Sequence, residues 1–393
     1  MSTHAVTIYF FSNAGEHGYA YAQALGSIAQ RVGFGFVHCC EGEPTTIAMD
    51  QIRQCPESSI ALTINDSMRR HSVLGVPLNQ LLKKDKIPHI CFVIDHPLYV
   101  FRPWMNDGHT CFLFTSPESE AFYKKYYQGA SACKTDFIWN VGLHYGTSLS
   151  EQALSGVAKR EHQLFVPINF DWQGSTLDSY LSDSAECAAD IRPDVEACVE
   201  KFVTDQDCTP SDIAAFMAKR GHDPAREHFA KMIKLADKGI ELQRRNLLLT
   251  ELVRFPVTLS GRGIPPQIIE TSKACYIPHH TMMDSYYMYR QCSAIMNTST
   301  SGTPIHDRVS NAMAAGCLLV TQNSTALKSI FPEASYVGYD YNPASVGAAL
   351  ETLFSGCNIE GTAYQGWQAI NTPEVFAILY GGLKRLADAC LSG

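Results

Sequence analysis

The chain has 393 residues, 46% of them hydrophobic and 18% charged, with 31 Lys and Arg against 39 Asp and Glu for a formal charge of −8. At roughly 150 residues per domain this length accommodates two domains, and the composition excludes a largely disordered or collagen-like chain. The acidic balance excludes general affinity for a nucleic-acid backbone, and short basic groups such as Lys83-Lys84 and Arg244-Arg245 read as solvated faces.

The 14 cysteines are scattered, with Cys39-Cys40 the only adjacent pair and no C-x-x-C or zinc-type spacing. Met1-Ser2-Thr3-His4 opens no secretory signal pattern, and no apolar run approaches the roughly 20 residues that span a bilayer. The expectation is a soluble, cytoplasmic protein with mostly buried thiols and no bound metal.

In chain order, Val6–Phe11 is an apolar run that reads as a buried strand ending at Ser12-Asn13-Ala14-Gly15. Tyr19–Val32 predicts a helix, and Gly33–Cys39 and Ser59–Ile64 predict strands. Ile87–Ile94 predicts the clearest strand of this half and stops at Asp95-His96-Pro97. Cys111–Phe114, Phe137–Val141 and Leu164–Val166 complete the series. Strands alternating with helices predict a mostly parallel sheet covered on both faces, with ligands at the polar strand ends.

Gly174–Thr250 is more polar and predicts helices: Thr209-Pro210-Ser211-Asp212 resembles a helix start, and Pro224–Thr250 a long helix or a broken pair. A second series follows, with strands at Phe255–Leu259, Ala274–Ile277, Ser293–Met296, Cys317–Thr321 and Tyr336–Tyr339. Helices are expected at Met282–Arg290, Val309–Ala315 and Pro343–Phe354. The predicted fold class is α/β, with two doubly wound Rossmann-like domains facing a cleft and a helical linker or insert.

The densest chemistry lies between Asn297 and Thr321: a strand end, a polar loop, His306-Asp307-Arg308 at a helix start, Asn311 within the helix, and Gly316 before the next strand. A small-residue loop before a helix offers unpaired N–H groups to a phosphate, and an arginine there adds a fork of donors. The same stretch also reads as a surface loop in which Asp307 and Arg308 only cap the helix. Gly261-Arg262-Gly263 follows a strand but lacks G-x-G-x-x-G spacing, so it reads either as a close approach to a diphosphate or as a plain turn.

With Asn297, Arg308, Asn311, Ala314, Gly316 and the strand Cys317–Thr321, the region resembles the C-terminal half of GT-B glycosyltransferases. The resemblance is to the branch similar to spore-coat maturation glycosyltransferases, also called glycosyl transferases family 1. Gly239–Thr250 and Arg254–Gly263 fit the same pattern upstream, whereas the N-terminal half matches only in general layout.

The resemblance implies transfer of a sugar from a UDP- or GDP-linked donor to a hydroxyl acceptor on a glycan, protein or small molecule, without a metal or other cofactor and with a lean towards retention. It implies Arg308 at the diphosphate, contacts from Gly261, Arg262, Gly263, Asn297, His306 and Asp307, and contacts of His280 and Thr281 with the base or ribose. Asn311 stands where the family carries a Glu that contacts the ribose. The corresponding division is 1–173 as an acceptor-side domain, 174–250 as a helical linker or insert, 251–370 as the nucleotide-sugar domain and 371–393 as a C-terminal helix.

On the acceptor side, Asp95 and His96 are the candidate general bases, since imidazole titrates near neutrality and carboxylates can be tuned upward. His17 and Glu16, beside Asn13 and Gly15, come next, and Asp66, Asp136 and His144 are weaker. Trp104 and Trp139 read as core residues or as stacking platforms for a sugar. Two other functions stay open: a nucleotide-sugar epimerase or hydrolase, and a catalytically silent sugar-nucleotide or glycan-binding protein.

Overall fold

The computed structural model describes residues 6–13, 15–65, 71–73, 75–101, 105–129, 133–139, 154, 156–169, 176–184, 186–264, 269–270, 272–278, 282–298 and 305–392. The chain divides into two compact units. Unit 1 comprises Met1–Gly146 and Phe376–Gly393, and unit 2 comprises Thr147–Val375.

Unit 1 runs β1 (Thr7–Ser12), α1 (Glu16–Arg31), β2 (Gly35–Cys40), α2 (Glu43–Gln54), β3 (Ser59–Ile64), the short pair β4 (Ser72–Val73) and β5 (Val76–Pro77), and α3 (Leu78–Lys84). It continues through β6 (His89–Val93), α4 (Pro97–Val100), β7 (Thr110–Phe114), α5 (Pro117–Tyr126) and β8 (Thr135–Phe137). Its main sheet has the order β2-β1-β3-β6-β7-β8, parallel throughout. Ile8, Phe10 and Phe11 of β1 and Ile60, Ala61 and Leu62 of β3 are all buried. Consecutive residues buried on both faces are what a parallel sheet covered by its crossovers requires.

Unit 2 begins with β9 (His162–Pro167), followed by α6 (Leu177–Asp183), α7 (Arg192–Phe202), α8 (Pro210–Lys219) and α9 (Glu227–Leu252). Next come β10 (Thr258–Gly261), β11 (Cys275–Pro278), α10 (Met282–Gln291), β12 (Cys292–Met296), α11 (Asp307–Ala314) and β13 (Leu318–Gln322). α12 (Thr325–Ile330), β14 (Tyr336–Tyr339), α13 (Pro343–Phe354), α14 (Ile359–Asn371) and α15 (Pro373–Leu391) close the chain. The second sheet is also parallel, in the order β11-β10-β9-β12-β13-β14. Each unit is thus a doubly wound α/β sheet, the fold class expected from the alternation of strands and helices.

Two features differ from the sequence expectation. Leu164–Val166 does not complete the first sheet: as β9 it pairs with β10 and β12 at the centre of the second. The helical stretch assigned to a linker or insert over 174–250 is therefore the crossover from β9 to β10, inside unit 2. Its helices α6, α7 and α8 pack on α9. α8 starts with a reciprocal capping box, in which the Asp212 amide donates to Thr209 Oγ1 at 3.3 Å and the Thr209 amide donates to Asp212 Oδ2 at 3.0 Å.

From Phe376 onward, α15 belongs to unit 1. The Trp139 amide donates to Leu379 O at 2.7 Å, and Arg385 reaches both oxygens of Asp136, Nε to Oδ2 at 2.9 Å and Nη2 to Oδ1 at 2.7 Å. Gly382 lies so close to β8 that a Cβ there would meet Phe137 O at 1.8 Å.

Candidate functional site

A doubly wound sheet has a switch point where the chain, having laid strands on one side of its first strand, returns to the other side. The diverging crossovers leave a crevice outside the carboxyl ends of the two strands concerned. The strand orders place this point between β1 and β3 in unit 1 and between β9 and β12 in unit 2.

In unit 2 the strand ends are Pro167, followed by Ile168 and Asn169, and Met296, followed by Asn297 and Thr298. Thr298 is buried, and its Oγ1 donates to Pro167 O at 2.7 Å, joining the two ends. The same Oγ1 accepts from Arg308 Nη1 at 3.5 Å. Arg308 sits in the first turn of α11 and is half-buried. A guanidinium carries five donors, so this long hydrogen bond orients the group and leaves it further donors. The N-terminal amides of α11 and its dipole add positive potential at the same place.

Asn297 has another task. Its fully buried side chain donates to Thr321 Oγ1 at 3.1 Å and to Gln322 Oε1 at 3.3 Å, and its carbonyl accepts from Tyr339 OH at 2.8 Å. It ties β12 to β13 and so fixes the position of Thr298. His306 is the N-cap of α11, and its Nδ1 meets the Asp307 carboxylate. Burial pushes the Asp307 carboxyl up, but the His306 ring, Arg308 and the Arg308 amide outweigh it and hold the group below the usual carboxylate range. Asn311 is buried on the inner side of α11 with partners of its own.

Across β9, the turn after β10 is clamped by Asn169. Its Oδ1 accepts from the Arg262 amide at 3.0 Å, and its carbonyl accepts from Arg245 Nη1. Gly261 is a glycine for a packing reason: a Cβ there would meet Ile168 O at 1.8 Å. Gly263 takes a positive φ of 72° in the following turn. The Arg262 residue is exposed. Arg262 and Arg308 thus follow strands that flank β9, one on each side of it. An arginine at a helix start whose first amides the N-cap side chain leaves uncapped, and a second arginine in a glycine turn across β9, are groups of the kind that bind a diphosphate.

In unit 1 the carboxyl edge carries a second polar set. Asp95, exposed at the end of β6, accepts from Asn65 Nδ2 at 3.1 Å, and Asn65 Oδ1 accepts from the Ile94 amide at 3.1 Å. His96 caps α4, with Nδ1 accepting from the Leu98 amide at 3.1 Å. An accepting Nδ1 places the proton of the neutral ring on Nε2, which donates to Glu118 Oε2 at 2.9 Å. Both ring nitrogens are engaged, leaving no lone pair to take a proton from a substrate. Ser12 Oγ and His38 Nε2 lie 2.7 Å apart beside the ends of β1 and β2, and burial lowers the pKa of His38.

Sequence reasoning missed Thr298, Asn169, Ser12, His38 and Asn65. Asn169 follows the strand that had been assigned to the other sheet. Ser12 and His38 become neighbours only through the pairing of β1 with β2. Asp136 is engaged by Arg385, and Trp139 is 6% exposed and so a core residue. Asp66, Trp104, His144, His280 and Thr281, and the side chains of Glu16 and His17, lie outside the described residues. Among the described residues, no group of three or more His, Cys, Asp or Glu could hold a metal ion, and no helix is long and apolar enough to cross a membrane.

No protein-family profile matches the chain, and no curated protein does. Similar solved structures include Anabaena Alr3699/HepE in complex with UDP-glucose, at 10% identity over 98% of this chain and 100% of that one, with a TM-score of 0.49. A glycosyltransferase from Rickettsia africae ESF-5 matches at 10% identity over 98% and 99% of the two chains, with a TM-score of 0.43. Sucrose-phosphate synthase from Thermosynechococcus elongatus matches at 11% identity over 98% and 99%, with a TM-score of 0.46. At these values no activity transfers from them to this chain.

Proposed function

We propose that this chain is a glycosyltransferase of the two-lobed GT-B kind, moving a sugar from a nucleotide-sugar donor to a hydroxyl acceptor. The observation that carries the reading is the hydrogen-bonded chain Arg308–Thr298–Pro167 at the switch point of unit 2. It holds a guanidinium at a helix start, outside the carboxyl ends of β9 and β12.

Sugar transfer breaks the bond between the anomeric carbon and the diphosphate, and negative charge builds on the departing oxygen. Preorganised donors aimed at that oxygen lower the barrier. Arg308, Arg262 and the first amides of α11 are the groups assigned to it, each charge-assisted hydrogen bond contributing about 1.5–3 kcal/mol. In this reading they neutralise the leaving group without a metal. Asn297 and Gly261 act as scaffold: one fixes the strand end, the other lets the turn pass β9. Asn311, buried with its own partners, holds the helix and is not assigned to the ribose.

The acceptor is assigned to unit 1. Asp95 is the group proposed to accept the hydroxyl proton, because it is exposed and, among the described residues, its carboxylate accepts from the Asn65 amide. His96, with both nitrogens engaged, is a positioning residue there. The resemblance to the spore-coat maturation branch implies retention of configuration, which the anomer of the product decides.

The test is a thermal-shift and turnover screen against UDP-, GDP-, TDP- and CMP-sugars, repeated with Arg308→Ala. The expected result is one donor that stabilises the fold and is consumed, with both effects lost in the variant. Absence of stabilisation by every sugar nucleotide refutes the reading. Asn311, in place of the family's Glu, favours a second reading as a silent sugar-nucleotide-binding protein, and stabilisation without turnover selects it.

A further inference from the structure

The turn that carries Arg262 is held by its neighbours on both sides. Gly261 C=O and Arg262 N–H belong to one peptide group, and both are engaged. The carbonyl accepts from Tyr276 OH of β11 at 2.9 Å, and the N–H donates to Asn169 Oδ1 at 3.0 Å. A planar group held at both ends has a fixed orientation, which sets the direction in which the Arg262 side chain leaves the turn. Asn169 can hold that peptide only while its own main chain stays in place. Its carbonyl accepts from Arg245 Nη1.

Arg245 lies on α9, the long helix of the β9–β10 crossover. Its place in a basic pair reads as a solvated face, yet its side chain is only 14% exposed, and Nη2 meets Glu241 Oε1 one turn earlier on the same helix. Glu241 is itself buried, and its other oxygen accepts from Lys238 Nζ at 2.6 Å. One planar guanidinium thus serves two partners, a buried carboxylate and the main chain after β9. Loss of hydration offsets most of the attraction within such a buried pair, so it contributes little to stability. It does fix a direction: Glu241 orients the fork, the fork holds Asn169, and Asn169 holds the Arg262 peptide. Arg244, beside it, works within the crossover, donating to the carbonyls of Phe202, Val203 and Asp205.

We propose that Arg245 is a positioning residue for donor binding, which rests on the reading of this turn as part of a nucleotide-sugar site. With Glu241 it fixes Asn169, and through Asn169 it aims Arg262 at the diphosphate. Arg245 itself is assigned no contact with the donor.

The test compares the full chain with Arg245→Lys, Arg262→Ala and the double variant. The ligand is whichever of the UDP-, GDP-, TDP- and CMP-sugars stabilises the native chain most. Lysine keeps a cation beside Glu241 but lacks the fork that serves two partners. Arg245→Lys is expected to unfold near the native temperature, to exchange the Arg262 amide hydrogen faster in the absence of ligand, and to bind the donor about tenfold more weakly, the equivalent of one hydrogen bond. In the Arg262→Ala background the same replacement should cost no further affinity, because the side chain it aims is gone. A merely structural role acts alike in both backgrounds, so an equal loss in both overturns the proposal. Unchanged exchange at Arg262 overturns it too. Should Arg245→Lys misfold, Glu241→Gln leaves the arginine in place, removes the charge that orients it, and should show the same two effects in smaller measure. If no sugar nucleotide stabilises the native chain, the reading of the site fails, and exchange at Arg262 still decides whether Arg245 holds the turn.

Discussion

Gly261→Ala separates two explanations for a glycine beside the proposed diphosphate site. In the structure the added Cβ would lie 1.8 Å from Ile168 O, 2.7 Å from its carbonyl carbon and 3.0 Å from Asn169 Oδ1. The first two obstacles are main chain at the end of the central strand β9 and cannot rotate away. Relief requires β9 and β10 to part, which disturbs the Ile168 amide to Ser260 O bond of 2.8 Å and the Arg262 amide to Asn169 Oδ1 bond of 3.0 Å. Two hydrogen bonds at about 1 kcal/mol each and overpacking strain of about 1–3 kcal/mol give a loss of roughly 3–5 kcal/mol. For a unit of this size each kcal/mol is about 2–4 °C, so the melting temperature should fall by roughly 6–20 °C. The assay is thermal unfolding without ligand, compared with Gly221→Ala, where φ is 96° against 156° at Gly261 but the space around the added Cβ is open. That control carries only the left-handed backbone cost of about 1–2 kcal/mol. If Gly261→Ala unfolds no earlier than the control but binds a sugar nucleotide poorly, the packing argument is wrong and the glycine serves the ligand.

Arg308→Ala should weaken donor binding by about 10- to 150-fold, the equivalent of one charge-assisted hydrogen bond, with little change in melting temperature. Arg308→Lys should recover only part of that, and titration calorimetry measures both. Asp95→Asn is expected to lower turnover by about 10²- to 10⁴-fold with donor affinity unchanged; equal turnover removes Asp95 from the mechanism. His89 predicts an acid limb. Burial is the largest cause that drives its pKa down to about 3, and its ring lies between Thr63 Oγ1 at 2.9 Å and Thr110 Oγ1 at 3.0 Å. The unfolded state binds this proton first, so stability should fall by about 1.4 kcal/mol per pH unit from about 6.5 down to about 3. Urea midpoints against pH should show a shallower limb for His89→Gln. Gly382→Ala should loosen α15 from unit 1, seen as faster amide exchange at Trp139, because its Cβ would meet Phe137 O.

Much of this architecture is written locally. Residues 59–64 and 336–339 form strands where the apolar runs placed them, and Thr209 and Asp212 cap a helix as their spacing suggests. A strand buried on both faces must be apolar along its whole length, and a helix start must satisfy its amides, so both leave marks in the sequence. Arg308 after a small-residue loop is legible for the same reason.

Partner choice is not written locally. Leu164–Val166 is an apolar run like its neighbours, and nothing within it selects β10 and β12 as its partners; the crossover through α6–α9 and the burial it achieves make that selection. Asn297 resembles a ligand-binding amide in sequence but is consumed between β12 and β13. His96 resembles a free base but spends both nitrogens on Leu98 and Glu118. The sequence alone determined the two strand-and-helix series and the arginine at the start of α11. Tertiary structure decided which polar groups remain for a ligand, because a side chain's hydrogen bonds depend on neighbours that only folding brings within about 3 Å.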